Sequence, residues 1–295
     1  MEAISVAARR GGVTESVHRA HAVAVGDGSV VAQAGDAGLV TFFRSSAKPF
    51  QALPLVRARA DLDDRELAVA CASHQAEPPQ LEAVRSLLGK AGAGEGDLEC
   101  GFDEGRPRER IYHNCSGKHA GMLALCRARG WPVRGYRLPD HPLQLEMLAE
   151  VASAAEVSAG EIPTAVDGCG VVTFALPLER MAHAFSRLRE LEGAARVIAA
   201  MRANPELVGG DGAVDTALML ALPGWVAKRG AEGLLCATDG DGLGLAVKVE
   251  DGNPRGLRPA LARFLPTLGL DLGEDFARVP VENSRGEVVG EVVAE

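Results

Sequence analysis

The chain has 295 residues, 47% of them apolar, and a net charge of −9 with no long basic run. That length can bury a substantial core, the apolar share is that of an ordinary globular protein rather than a disordered one, and the acidity argues against nucleic acid as a partner. The start, Met1-Glu2-Ala3-Ile4, shows no basic segment ahead of an apolar run, and no uninterrupted apolar stretch of about eighteen residues exists. The expectation is therefore a cytoplasmic protein with no signal peptide and no membrane partner. Aromatics make up only 4%, so Ala, Val, Leu and Gly must fill the core. The six cysteines, in a chain of this kind, read as thiols or metal ligands rather than a disulfide framework.

In chain order, two valine-rich runs between Val23 and Ala34 flank Gly26-Asp27-Gly28, a hairpin signal. Val40 to Phe43 leads into Arg44-Ser45-Ser46-Ala47-Lys48-Pro49-Phe50. Pro49 suits a first helical turn, whereas Pro54 ends or kinks a helix. Glu66 to Cys71 runs to Ala72-Ser73-His74-Gln75. Pro79 to Gly89 is amphipathic, with Leu81, Val84, Leu87 and Leu88 on one side. His113-Asn114-Cys115-Ser116-Gly117-Lys118-His119 opens a helix predicted to reach Arg129, and Pro142 to Ala155 predicts another. Thr164 to Val166 reads as a strand entering Asp167-Gly168-Cys169-Gly170. Helices are predicted over Leu178–Leu191, Ala194–Arg202 and Val214–Leu222. A second hairpin joins Gly233–Thr238 to Leu243–Glu250 through Asp239-Gly240-Asp241-Gly242. Arg258–Leu265 is predicted as the last helix, and Val288–Val293 as a strand or tail.

Strands gather at both chain ends and helices fill the middle. The predicted class is α/β, with an antiparallel sheet built from both ends and an inserted helical lobe, in a single two-lobed unit spanning 1–295. No Gly-x-Gly-x-x-Gly follows a strand and no Walker pattern occurs, which disfavours a nucleotide fold.

Ser45 and Lys48 form Ser-x-x-Lys, which on a helical turn places both on one face. A neutral lysine there can take the serine proton and release a nucleophile. The bland reading is a helix start with a serine cap and a solvated lysine. Cys115 and Lys118 repeat the i, i+3 spacing, and Cys169 stands between two glycines. Two thiolates suit Zn²⁺, although a lysine ligand must be neutral. The bland reading there is two small buried hydrophobes.

The stretches Arg-Ser-Ser-Ala-Lys-Pro-Phe-Gln at 44–51, Ala-Ser-His at 72–74, His-Asn-Cys-Ser-Gly-Lys-His-Ala-Gly-Met at 113–122, Asp-Gly-Cys-Gly at 167–170 and Lys-Val-Glu-Asp-Gly at 248–252 together resemble the Rhizobium etli-type L-asparaginase (asparaginase II) family. That family falls within the serine β-lactamase and penicillin-binding-protein-like superfamily, which also contains serine glutaminases. The superfamily's Ser-Asp-Asn and Lys-Thr-Gly motifs are absent; Ser73-His74-Gln75 and Lys248-Val249-Glu250 stand as their replacements. The resemblance implies an L-asparagine amidohydrolase with a Ser45–Lys48 pair, a zinc site at Cys115, Lys118 and Cys169 that modulates substrate binding, and a homodimer. Ser73 is then expected to relay protons to Lys48, and Lys248 to complete the electrostatics as the neighbouring cation that favours a neutral Lys48. Arg44, Asn114, His119 and Asp167 are the expected substrate-binding residues, with Arg44 for the carboxylate and Asp167 for the amine. The competing classes are a penicillin-binding-type serine peptidase or esterase and a non-catalytic zinc or amino-acid binding protein.

Overall fold

The computed structural model describes residues 1–295. Its eleven strands are β1 (Ile4–Arg10), β2 (Val13–Gly26), β3 (Ser29–Ala34), β4 (Val40–Phe42), β5 (Thr164–Val166), β6 (Val172–Pro177), β7 (Val226–Gly230), β8 (Leu234–Thr238), β9 (Leu243–Val249), β10 (Arg278–Glu282) and β11 (Val288–Ala294). The larger sheet is antiparallel, in the order β10-β11-β1-β2-β9-β8-β7, with β3 paired to β2. Its strands come only from the first 34 residues and from Val226 onward, so the two chain ends do build one sheet. A smaller sheet, β4-β6-β5, is built from strands of the inserted segment.

The helices are α1 (Lys48–Gln51), α2 (Leu53–Ala58), α3 (Asp64–Ala70), α4 (Pro78–Lys90), α5 (Ser116–Arg129), α6 (Pro142–Ala155), α7 (Leu178–Ser186), α8 (Ala194–Ala203), α9 (Pro205–Val208), α10 (Val214–Ala221), α11 (Leu257–Phe264) and α12 (Glu274–Ala277). On β9, Gly244 and Val249 are an odd number of residues apart and point to opposite faces. Gly244 meets Ala182 of α7, and Val249 meets Gly256 just ahead of α11. Helices therefore cover both faces of the sheet, with a continuous buried core between them.

The local reasons are visible in the sequence. Asp27 and Gly28 both take positive φ, 49° and 72°, the two-residue turn that matches strand twist. The α3 start is a full capping box, Asp63 accepting from Glu66 N–H and Glu66 from Asp63 N–H. Pro54 behaves as its missing N–H requires: α1 stops at Gln51, and α2 begins afresh with Pro54 in its first turn. Several features were not foreseen. β1, β6, β7 and β10 carry no turn-bounded alternating pattern, and α12 follows what was expected to be the last helix. The helix expected over Leu178–Leu191 breaks at Ser186 into a separate turn of 3₁₀-helix, Leu188–Glu190. No helix is long and apolar enough to cross a membrane.

Candidate active site

Ser45 and Lys48 lie where a 3₁₀ turn, Arg44–Ala47, runs straight into α1. Buried phenylalanines flank the pair on both sides. Phe43 and Phe50 have ring centroids 5.8 Å apart, and both pack on Phe185 of α7, at 6.1 and 5.2 Å. In a chain so poor in aromatics, three phenylalanines spent on one clamp fix this turn against α7. Arg44 takes φ 48°, a left-handed conformation that costs an arginine about 1 kcal/mol; such strain clusters at functional sites.

Lys48 is fully buried. Its Nζ donates to the Ala72 carbonyl, to Ser73 Oγ at 3.0 Å and to the Cys115 sulfur at 3.2 Å. These partners are a carbonyl, a hydroxyl and a thiol, and none is a carboxylate. Ser45 Oγ is not among these three contacts. Ser45 is half-buried, whereas Ser46 is fully buried and donates to the Lys228 carbonyl at 2.8 Å. The accessible hydroxyl of the turn is thus Ser45. Ser73 is held in place through its backbone, its N–H on Val208 O and its carbonyl accepting from Arg229 Nη2.

The start of α5 brings Cys115 and Lys118 to the same place. Gly117 makes that possible: a Cβ there would lie 2.1 Å from the Val69 carbonyl oxygen of α3. Lys118 Nζ donates to the Cys169 sulfur at 3.1 Å. The hydrogen bond from Cys115, and then the Lys118 charge, hold the Cys169 thiol down to about 5 in spite of its burial. The same Cys169 hydrogen bond, with burial, pushes Cys115 up. Burial works against a charged Lys118, but the Cys169 and Cys115 sulfurs and Asp167 outweigh it and raise that amine. The Cys169 sulfur beside Lys118 is thus the one of the two that ionises more readily.

No three of the His, Cys, Asp and Glu side chains converge to hold a metal ion by themselves, so a metal here requires Lys118 as third ligand. Two cysteine sulfurs and an adjacent amine do fit a soft tetrahedral ion such as Zn²⁺, provided Lys118 loses its proton on binding.

Arg44 Nε donates to Asp167 Oδ1 at 2.6 Å, and the Arg44 N–H reaches Thr173 Oγ1 of β6. The Asp167 carboxyl is held low by Lys118 and Arg44 against its burial. Asn114 presents Oδ1 to the Cys115 thiol at 2.9 Å. Its N–H donates to Asp103, and its carbonyl accepts from the His74 N–H. His119 lies fully buried behind Lys118, its Nδ1 on Tyr136 Oη at 2.7 Å and its Nε2 without a partner. The structure thus gathers Arg44, Ser45, Lys48, Ser73, Asn114, Cys115, Lys118, Asp167 and Cys169, with His119 one layer further in.

Lys248 is the exception. It stands on β9, paired with Leu234 and His21, and its Nζ donates to Val249 O of its own strand. Its charged neighbours are Glu232, Asp251 and Glu250. Strand β8 separates it from β7, the strand that packs on the Ser45 turn. The cation beside Lys48 is instead Lys228 on β7, in Lys228-Arg229-Gly230. It is fully buried, and its Nζ lies 3.0 Å from Asp215 Oδ2. Burial, joined by Lys48 and Arg229, outweighs Asp215 and brings Lys228 down to about 8. The available signal was a lysine two residues ahead of a glycine at the end of a short apolar strand. Lys248-Val249-Glu250 lacks that glycine.

An L-asparaginase II family model matches residues 6–294. The chain belongs to the L-asparaginase II family. No curated protein matches this asparaginase II chain. Among solved structures it is similar to a β-lactamase-type protein from Bacteroides dorei, at 13% identity over 84% of this chain and 93% of that one, with a TM-score of 0.46. It is also similar to EstCE1, a hydrolase with promiscuous acyltransferase activity, at 12% identity over 78% and 88%, with a TM-score of 0.43. A third is Mglu in its native form, at 17% identity over 90% and 69%, with a TM-score of 0.42.

Proposed function

We propose that this asparaginase II protein hydrolyses the side-chain amide of L-asparagine, giving aspartate and ammonia through an ester on Ser45. The observation that carries the reading is a fully buried lysine held by uncharged groups, three residues after a half-buried serine, in a member of this family. Ser45 Oγ bonds to the amide carbon while Lys48 takes its proton. Ser73, 3.0 Å from Lys48 Nζ, passes a proton to the departing nitrogen, which leaves as ammonia. Water then attacks the ester carbon, Lys48 takes the water proton and returns it to the departing Ser45 Oγ, and aspartate is released. Lys228 supplies a second buried cation beside Lys48. Arg44 receives the substrate carboxylate and Asp167 its amine.

Cys115, Lys118 and Cys169 would hold a zinc ion, which supplies a Lewis-acidic contact that positions the substrate. Elemental analysis of wild type and Cys169→Ser tests that part directly. Zinc in the wild type and its loss in the variant, with a raised KM and a largely kept kcat, supports it; equal zinc in both removes the site. The homodimer belongs to the same proposal and is tested by light scattering.

The test of the activity is ammonia release from asparagine and from glutamine, with nitrocefin as a third substrate. Ammonia from asparagine with nitrocefin untouched supports the reading. Nitrocefin turnover without ammonia release would replace it with a penicillin-binding-type serine hydrolase.

A further inference from the structure

Outside the Asp167–Gly170 turn lies an open cleft of about 500 Å³, and of the residues that line it the reaction above uses only Cys169. Arg110, Arg134 and Arg137 line it, together with the Glu99–Phe102 segment and Gly168-Cys169-Gly170. Three guanidinium groups therefore face one carboxylate, in a chain whose net charge is −9. Most of the opposing charge is already committed. Glu99 Oε1 accepts from the Gly135 N–H at 2.7 Å, and its Oε2 is buried with no hydrogen bond, 3.9 Å from Arg137 Nε. Arg110 is pinned by donating to the Leu98 carbonyl, which fixes one wall. Arg134 and Arg137 are exposed. Arg108 stacks over the Phe102 ring at 5.3 Å, adding a fourth cation at the rim.

We infer that this cleft is a seat for a carboxylate ligand, separate from the Ser45 centre and sharing the 168–170 turn with it. Guanidinium forks are matched to carboxylates, and a concave patch of one sign raises the local concentration of the opposite ion. The inference rests on the proposed reaction for its direction. Asparagine is a zwitterion with no net charge, whereas aspartate carries one net negative charge, so the cleft favours product over substrate. An amide substrate bearing an additional carboxylate carries the same charge and is the other source of such a ligand.

Calorimetry of the full chain with succinate reads the seat without any turnover, because succinate has two carboxylates and nothing to hydrolyse. The expected result is saturable binding that weakens as salt is added. In Arg134→Gln/Arg137→Gln it should weaken further by about tenfold, for the loss of two charge-assisted contacts. No binding in the wild type, or equal binding in the double variant, overturns the inference. Both side chains are exposed, so unchanged thermal unfolding of the variant is expected.

Two kinetic arms separate the sources. If the product is the occupant, added aspartate raises the KM for asparagine in the wild type far more than in the double variant. If an acidic substrate is the occupant, N-succinyl-asparagine has a higher kcat/KM than N-acetyl-asparagine, and the double variant loses that preference. Should asparagine release no ammonia at all, the proposed reaction fails while the calorimetry still decides the seat.

Discussion

Gly117→Ala puts the assembly of the site to a quantitative test. A Cβ at this position lies 2.1 Å from Val69 O, against an ordinary contact of 3.4 Å, a shortfall of 1.3 Å. Val69 C at 2.8 Å and Val69 Cγ2 at 2.9 Å crowd it as well. The obstruction is backbone of α3, which cannot rotate away, so α5 must move. Overpacking of this kind costs up to ~3 kcal/mol. Alanine returns ~1 kcal/mol of helix propensity relative to glycine, leaving a net loss of ~2 kcal/mol. With an unfolding entropy of ~2.1 cal/mol/K per residue, that lowers Tm by ~3 °C in a chain of this length. Activity should suffer more than stability. Cys115 and Lys118 ride on the displaced turn, and misplacement by about 1 Å can cost ~100-fold in rate. Differential scanning calorimetry and ammonia release read the two effects. A variant with wild-type Tm and wild-type kcat/KM would refute the claim that α5 is seated against α3 through this residue.

Two further outcomes follow from buried charges. Lys228→Met leaves Asp215 in the core with only Arg229 as a cation. It should destabilise the fold by ~3 kcal/mol in urea unfolding, with much of the loss recovered in Lys228→Met/Asp215→Leu; equal stability of the wild type and the single variant would contradict this. Burial, with Lys48 and Arg106 adding repulsion, brings His74 down to about 3, and its ring is neutral, accepting from Ala76 N–H and donating to Ser116 Oγ. An unfolded histidine titrates near ~6.5, so the stability is complete above that pH. Below it, the unfolded chain takes up a proton that the fold refuses, and stability falls by up to ~1.4 kcal/mol per pH unit toward pH 3. His119 is lowered by burial in the same sense. A flat stability profile between about pH 6.5 and 5 would remove this account.

What could be read from the sequence divides by the range of the signal. Amphipathic spacing marked α4, the Pro142–Ala155 run marked α6, and Asp27-Gly28 marked the first hairpin. These are local patterns that the structure preserves within a residue or two. The i, i+3 pairs Ser45/Lys48 and Cys115/Lys118 were visible for the same reason. β1 was not, because its burial runs on through Val6, Ala7 and Ala8 and so loses the alternation expected of a half-exposed strand. The choice between Lys228 and Lys248 depended on which strand ends the sheet beside the Ser45 turn. That is a matter of pairing between distant segments, to which the glycine two residues after Lys228 was the one local cue. Asp215, which anchors Lys228, went unseen because its role exists only once β7 packs against α10.

The central claim is that Ser45 carries the substrate as an ester, with Lys48 as its base. Rapid-quench incubation with asparagine, followed by peptide mapping, should find an aspartyl ester on the peptide containing Ser45. Ser45→Ala should lose both the ester and ammonia release by orders of magnitude while keeping its fold. An adduct on Ser46 or Cys115, or a Ser45→Ala variant that retains a substantial share of wild-type turnover, would contradict it.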